Sequence, residues 1–366
     1  MKAHKVPATY YSGWNASGFK HSFYVFYKNA LTEKGILKPY RKVETITAEH
    51  SYFMEEDFYY IDFSIKGISF KLKNEISDFL REKAYKILCL DTLAECEKDE
   101  PIPTIVLDDY NKIMTYMDDI DKWSIKNSIE KIVTAQEFTD ELDGYIFKKV
   151  GLLIEENYFS NYLENMWGDI RNSIIDAVSD KKSEDEVIIN RRTDFLEFFV
   201  VQYLRMDKQI KPKIEMVLSI AENALVDIGA DAKIISAMKQ DGLLSFEPYF
   251  FGALLDAARG DKRKIMRKVS EIDSNYEIDV LYSKTRSYLT STNPCVFSQV
   301  VKGEIMEILF PISSQYCLRF RKRSDCIPSG RYIEQTDQEV KIINASIISK
   351  ADEIVISHCE YISDLI

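Results

Sequence analysis

The chain has 366 residues, of which 46% are apolar and 29% charged, and a formal net charge of −11. That length and balance suit a globular protein of two or three packed subregions, and exclude a disordered chain, a collagen-like fibre and a disulfide-stapled miniprotein. No run approaches the roughly 18 apolar residues of a spanning helix, Met1 to Tyr10 lacks the apolar stretch of a secretory signal, and the acidic charge argues against a broadly basic nucleic-acid surface.

Residues 1–67 read as aromatic and β-rich. The run Phe23-Tyr24-Val25-Phe26-Tyr27 predicts a strand, and residues 43–47 and 58–63 predict two more. Residues 68–285 read as helical. Glu75, Ile76, Phe79, Leu80, Lys83 and Ile87 follow three- and four-residue spacing. After a connector holding Pro101 and Pro103, helices are expected over 110–119, 124–133 and 147–178. In the last of these, Phe159, Leu163, Met166, Trp167, Ile170 and Ile174 form one stripe. Further helices are expected over 195–206, 214–228 and 248–258. A basic cluster from Arg259 to Lys268 then reads as a charged helix face opposite Ile265 and Val269. Residues 286–366 return to β character, with strands over 295–301, 305–310, 316–320 and 354–357, a Lys302-Gly303 turn, and a helix over 340–351. The fold class is α+β: a large helical middle packed on a mixed sheet formed by the N- and C-terminal regions.

Only 13 glycines are present, and none builds a Walker loop or a dinucleotide fingerprint, because phosphate cradles need converging backbone N–H groups. Gly13 and Gly18 come nearest, without a following helix. The histidines His4, His21, His50 and His358 never pair with each other or with cysteine at zinc-ligand spacing. With no export signal, the six cysteines are expected as reduced cytoplasmic thiols. His358-Cys359 on a strand would point to opposite faces.

The helix over 195–206 holds a local anomaly. Phe195, Phe198, Phe199 and Met206 share a face, and Gln202 and Arg205 fall on it. A buried amide and guanidinium need partners, so the pair either faces a ligand, with Arg205 as a fork for carboxylate or phosphate, or locks the core through a carboxylate such as Glu155. Glu155 is also a candidate base or metal ligand. Glu164, three residues after Asn161, has capping-box spacing. The turn Leu289-Thr290-Ser291-Thr292-Asn293-Pro294 is rich in donors and acceptors, and fits either a ligand or a plain turn. Glu339-Val340-Lys341 with Asp325 upstream has nuclease-like spacing, with an ordinary surface pair as the alternative.

Several of these pieces resemble one bacterial family, domain-of-unknown-function family 4238. They are His4-Lys5-Val6-Pro7 followed by Tyr10-Tyr11, the Gln202-x-x-Arg205 helix, Leu289 to Pro294, Phe310-Pro311-Ile312-Ser313 and the stretch 344–351. Thr292 stands where the family usually has Asp, and Lys5 where it has an aromatic. The resemblance implies an association with anti-phage defence, but no settled chemistry. The expected site brings together His4, Gln202, Arg205, Ser291 and Asn293. Arg205 would bind an anionic group, Gln202 and Asn293 would orient it, and His4 would transfer a proton. The expected partner is nucleic acid or a nucleotide. The alternative is a non-enzymatic sensor or interaction subunit recognising a phage protein or another defence protein. No membrane partner is expected; cofactor, metal and oligomeric state are left open.

Overall fold

The computed structural model describes residues 2–4, 8–16, 22–33, 36–37, 44–47, 54–56, 72–91, 102–204, 219–240, 246–301, 304–323, 330–362 and 365–366. The expected strand over 58–63, the start of the helix over 214–228, the Lys302-Gly303 turn, Pro101, Arg205, Met206 and Asp325 lie outside them. The chain forms two compact units: Met1–Phe58, Glu155–Pro212 and Asp256–Ile366 make the first, and Tyr59–Ile154 with Lys213–Leu255 the second.

In the first unit the two ends of the chain share a sheet. Its strands run in the order Thr290–Ser291, Ile354–Ser357, Ser22–Tyr27 and Glu44–Thr47, all antiparallel, with Val25 opposite Ile356 and Ser291 opposite Val355. The central pair is apolar enough to be buried: Phe23, Val25 and Phe26 from one strand, and all of Ile354–Ser357 from the other.

A second, five-stranded sheet is mixed. Val296–Val301, Glu304–Pro311, Tyr316–Lys322 and Tyr276–Tyr282 pair antiparallel in that order, and Tyr332–Glu334 adds in parallel. Side chains alternate across a strand, so its two faces bury different sets. Leu281, Leu309 and Cys317 join one cluster with Val340, Ile343 and Ile347 of the helix Asp337–Lys350, together with Phe26 and Val355. On the opposite face Phe310 and Phe320 meet the helix Arg192–Leu204. Phe199 stacks on Phe320 at 4.0 Å between ring centroids and stands edge-on to Phe310 at 5.4 Å.

One strand position breaks the apolar rule. Asp279 is 1% exposed and accepts from Arg319 Nη2 at 2.8 Å and Nε at 3.0 Å, from Arg321 Nε at 3.2 Å, and from the Arg331 backbone N–H at 3.1 Å. A carboxylate so deep is tolerable only because every lone-pair direction meets a donor.

The second unit holds a four-stranded antiparallel sheet in the order Ile132–Val133, Trp123–Lys126, Lys86–Leu90 and Thr104–Val106. It corrects two expectations. The helix around Phe79 spans Lys73–Lys83 and stops at Ala84, whose φ of 50° is left-handed, so Ile87 belongs to a strand. The segment 124–133 is a hairpin, closed by a turn in which Glu130 has φ 61°. Ile125 and Trp123 are buried at two-residue spacing, while Ile129 and Ile132 are 77% and 72% exposed. Phe138, on the helix Ala135–Leu153, stands edge-on to Phe79 at 5.8 Å and to Trp123 at 6.0 Å.

Candidate functional site

The site of interest lies in the first unit and begins with the segment Ala8–Trp14, a 3₁₀ helix. Tyr10, Tyr11 and Trp14 are fully buried. The Tyr10 hydroxyl donates to the Pro311 carbonyl and accepts from Thr290 Oγ1 at 3.0 Å; burial keeps the phenol neutral by pushing its pKa well up. Trp14 Nε1 donates to the Tyr288 carbonyl at 2.9 Å, and the Ser314 N–H donates to the Gly13 carbonyl at 3.0 Å. Gly13 is not part of a phosphate loop. A Cβ there would stand 2.7 Å from the Ile312 carbonyl oxygen, so its role is close backbone approach. Glu164 is no capping box either. Its Oε1 accepts from the Ala8 N–H at 3.2 Å, holding the N-terminal segment to the body.

The helix Arg192–Leu204 is buried on every side from Phe195 to Leu204. It lies between the five-stranded sheet and the helix Asn165–Asp176, whose Trp167 stacks on Phe198 at 4.2 Å. Gln202, one turn beyond Phe198, is 1% exposed, and neither its nitrogen nor its oxygen meets a hydrogen-bond partner among the described residues. The Trp167 indole N–H, the Tyr288 hydroxyl and Asn293 Oδ1 are buried in the same condition. Arg205 lies outside the described residues.

Glu197, on the same helix and 3% exposed, was not singled out from sequence. Its carboxylate accepts from Tyr158 OH at 2.9 Å, Tyr162 OH at 2.8 Å and Lys262 Nζ at 3.1 Å. The segment Ile154–Glu164 is π-helical, and its wider turn brings Tyr158 and Tyr162, four apart, into near-parallel stacking at 5.9 Å. Lys262 sits 3.3 Å from the Tyr162 ring centroid. Burial pushes both phenols up, with the Glu197 charge adding to the effect, so they act as donors. A single glutamate inside the apolar run 195–201 was the available signal.

Ser291 is buried, and its hydroxyl accepts from the Asn293 N–H at 3.0 Å and donates to the Asn293 carbonyl at 2.9 Å. It therefore fixes the turn and leaves Asn293, 5% exposed, with a carboxamide oxygen that meets no partner among the described residues. Asn344, also not singled out for a role, supports this turn from the helix Asp337–Lys350. It accepts from the Leu289 N–H and donates to the Ser287 and Leu365 carbonyls, each at 2.9 Å. His4 ends the strand Lys2–His4, opposite Met54 of Met54–Glu56.

Two other expectations change. The strand Ile354–Ser357 stops before His358, so His358 and Cys359 do not point apart: Cys359 Sγ lies 3.3 Å from His358 Nδ1. Burial lowers the imidazole and raises the thiol, which keeps both neutral. The Glu339–Lys341 pair is helical, where residues two apart face different sides. Glu339 caps the helix through the Thr336 N–H at 2.8 Å, and Lys341 donates to the Ile366 carbonyl at 2.9 Å. Among the described residues no group of three or more His, Cys, Asp or Glu is placed to hold a metal ion, and no helix is long and apolar enough to cross a membrane.

The model of the family described as protein of unknown function (DUF4238) matches residues 96–360. The chain belongs to that family. The matched span of this DUF4238 protein contains Gln202, Arg205, Ser291, Asn293 and the Phe310 to Ser313 stretch, and begins well after His4. No curated protein and no solved structure matches the chain.

Proposed function

We propose that this DUF4238 protein is a cytoplasmic anti-phage effector that binds and acts on a nucleotide-type ligand at the Gln202–Asn293 site. The observation that carries the reading is the Gln202 carboxamide, buried with donor and acceptor both unmatched among the described residues, on a helix whose Phe198, Phe199 and Tyr203 pack against other rings. Side-chain amides read the donor–acceptor edge of a base, and aromatic faces hold its plane. A polynucleotide fits less well than a mononucleotide, because Gln202, Ser291 and Asn293 are at least nine-tenths buried and the chain carries net charge −11. In this reading Arg205 takes the phosphate, Asn293 shares the orienting role with Gln202, Ser291 sets the turn, and His4 moves a proton.

The test is incubation of purified protein with nucleoside triphosphates, RNA and DNA, with and without Mg²⁺, and products read by mass spectrometry. Turnover lost in Arg205→Ala and Asn293→Ala, with unchanged unfolding, supports it. Phage protection that persists in both variants refutes it.

A second reading has its own support. Ser291 spends its hydroxyl inside the turn, as a purely structural residue would. The protein would then be a sensor or interaction subunit recognising a phage protein or another defence protein. Co-purification of such a partner from infected cells, with no turnover of any nucleotide, would favour it.

A further inference from the structure

Arg171 carries a positive charge that the described residues do not answer. It stands on the helix Asn165–Asp176, half-buried, and its Nη1 donates to Ser12 Oγ at 2.7 Å. No described carboxylate reaches it. The other partly buried arginines described in this unit are paired: Arg319 and Arg321 with Asp279, Arg286 with Asp337, Arg192 with Asp273, and Arg331 with Glu184. One turn earlier on the same helix face, the Trp167 indole N–H is buried with no acceptor among the described residues. A guanidinium offers five N–H donors and no acceptor, and a desolvated cation without a counter-charge is unfavourable. Desolvation also draws the Arg171 pKa downward.

This surplus of donors defines the chemistry that would complete it: a small acceptor bearing negative charge. We propose that Arg171, aligned by Ser12, is an anion-binding residue that takes the phosphate or carboxylate oxygens of a small ligand. Ser12 holds one arm of the fork, leaving the other N–H groups for a bidentate contact. The half-buried setting strengthens that contact over one at an open surface. The N-terminal segment thereby contributes to binding as well as to packing, since Ser12 lies between Tyr11 and Gly13, both held by the body. The assignment does not depend on the nucleotide reading, because Gln202 takes no part in it.

The full chain is titrated calorimetrically with inorganic phosphate, acetate and AMP at constant ionic strength. Saturable binding of at least one is expected. Phosphate and AMP without acetate identify a phosphate site, and acetate alone a carboxylate site. Arg171→Gln, which keeps a donor for Ser12, should weaken binding at least about tenfold, the loss of one charge-assisted contact. Arg263→Gln, at an exposed arginine paired with Asp261, should leave phosphate or acetate binding unchanged. Should Arg171→Gln not fold, Arg171→Lys keeps the charge without the fork and should still bind more weakly than the wild type. No saturable binding of any of the three anions, or equal affinity in the wild type and the folded Arg171 variant, overturns the assignment.

Discussion

Replacing Gln202 with leucine should make the protein more stable and less active at the same time. The side chain is 1% exposed, and both polar atoms of its carboxamide lack partners among the described residues. An amide left unsatisfied in a protein interior costs about 1–3 kcal/mol by mutational measure. Leucine has similar bulk, brings no polar atom, and loses roughly 1 kcal/mol less side-chain entropy on burial. Shape mismatch at a buried position takes back up to about 1.5 kcal/mol. The net expectation is a gain of between about 0.5 and 4 kcal/mol in unfolding free energy, read as a raised urea midpoint at unchanged slope. Phage protection, measured by plaque counts on cells expressing the variant, should fall. A variant destabilised by about 1 kcal/mol or more would refute the reasoning, because it would mean that the amide is structurally paired. A stabilised variant with full protection would keep the physics and dismiss the site.

Three further predictions follow from contacts described above. Asp279→Ala leaves Arg319 and Arg321 without their shared carboxylate and should cost about 3–4 kcal/mol, at the lower end for a buried pair because both arginines remain partly exposed; a loss below about 1 kcal/mol in urea unfolding would contradict it. Gly13→Ala drives a methyl group against the Ile312 carbonyl and should destabilise by about 1–3 kcal/mol, checked by calorimetry. His358 has a folded-state pKa lowered from 6.5 by burial, so the unfolded chain takes up the proton first, and stability should fall as pH drops below 6.5. The His358→Asn variant should show a flatter dependence, and coincident slopes for the two proteins would rule the effect out.

How much of this was legible depended on whether neighbours in sequence were also neighbours in space. The strand at Phe23 to Tyr27 and the stripe from Phe159 to Ile174 announce themselves because burial follows a local period. The hairpin over 124–133 was misread for a definable reason. Ile125, Ile129 and Ile132 are spaced as on a helix face, yet only Ile125 is buried, and its true companion is Trp123 on the same strand face. Gln202 stood out because a polar side chain at an apolar spacing is a conflict visible without coordinates. Glu197 offered the same conflict, and its partners Tyr158, Tyr162 and Lys262 lie 35 to 65 residues away. The docking of Tyr10, Ser12 and Trp14 could not be read at all, since their acceptors and donors lie more than 150 residues further on.

The bond from Tyr10 to Pro311 joins residues 301 apart, and the strand after it pairs with Ile354–Ser357. During vectorial synthesis at about 5–20 residues per second, the early strand therefore waits roughly 15–60 s for its mate to leave the ribosome. Through that interval an aromatic, β-prone edge is bare, the kind of segment that invites self-association or chaperone capture. Folding yield in the cell should accordingly respond to translation speed and to holdase supply more than the equilibrium strength of the finished core would suggest.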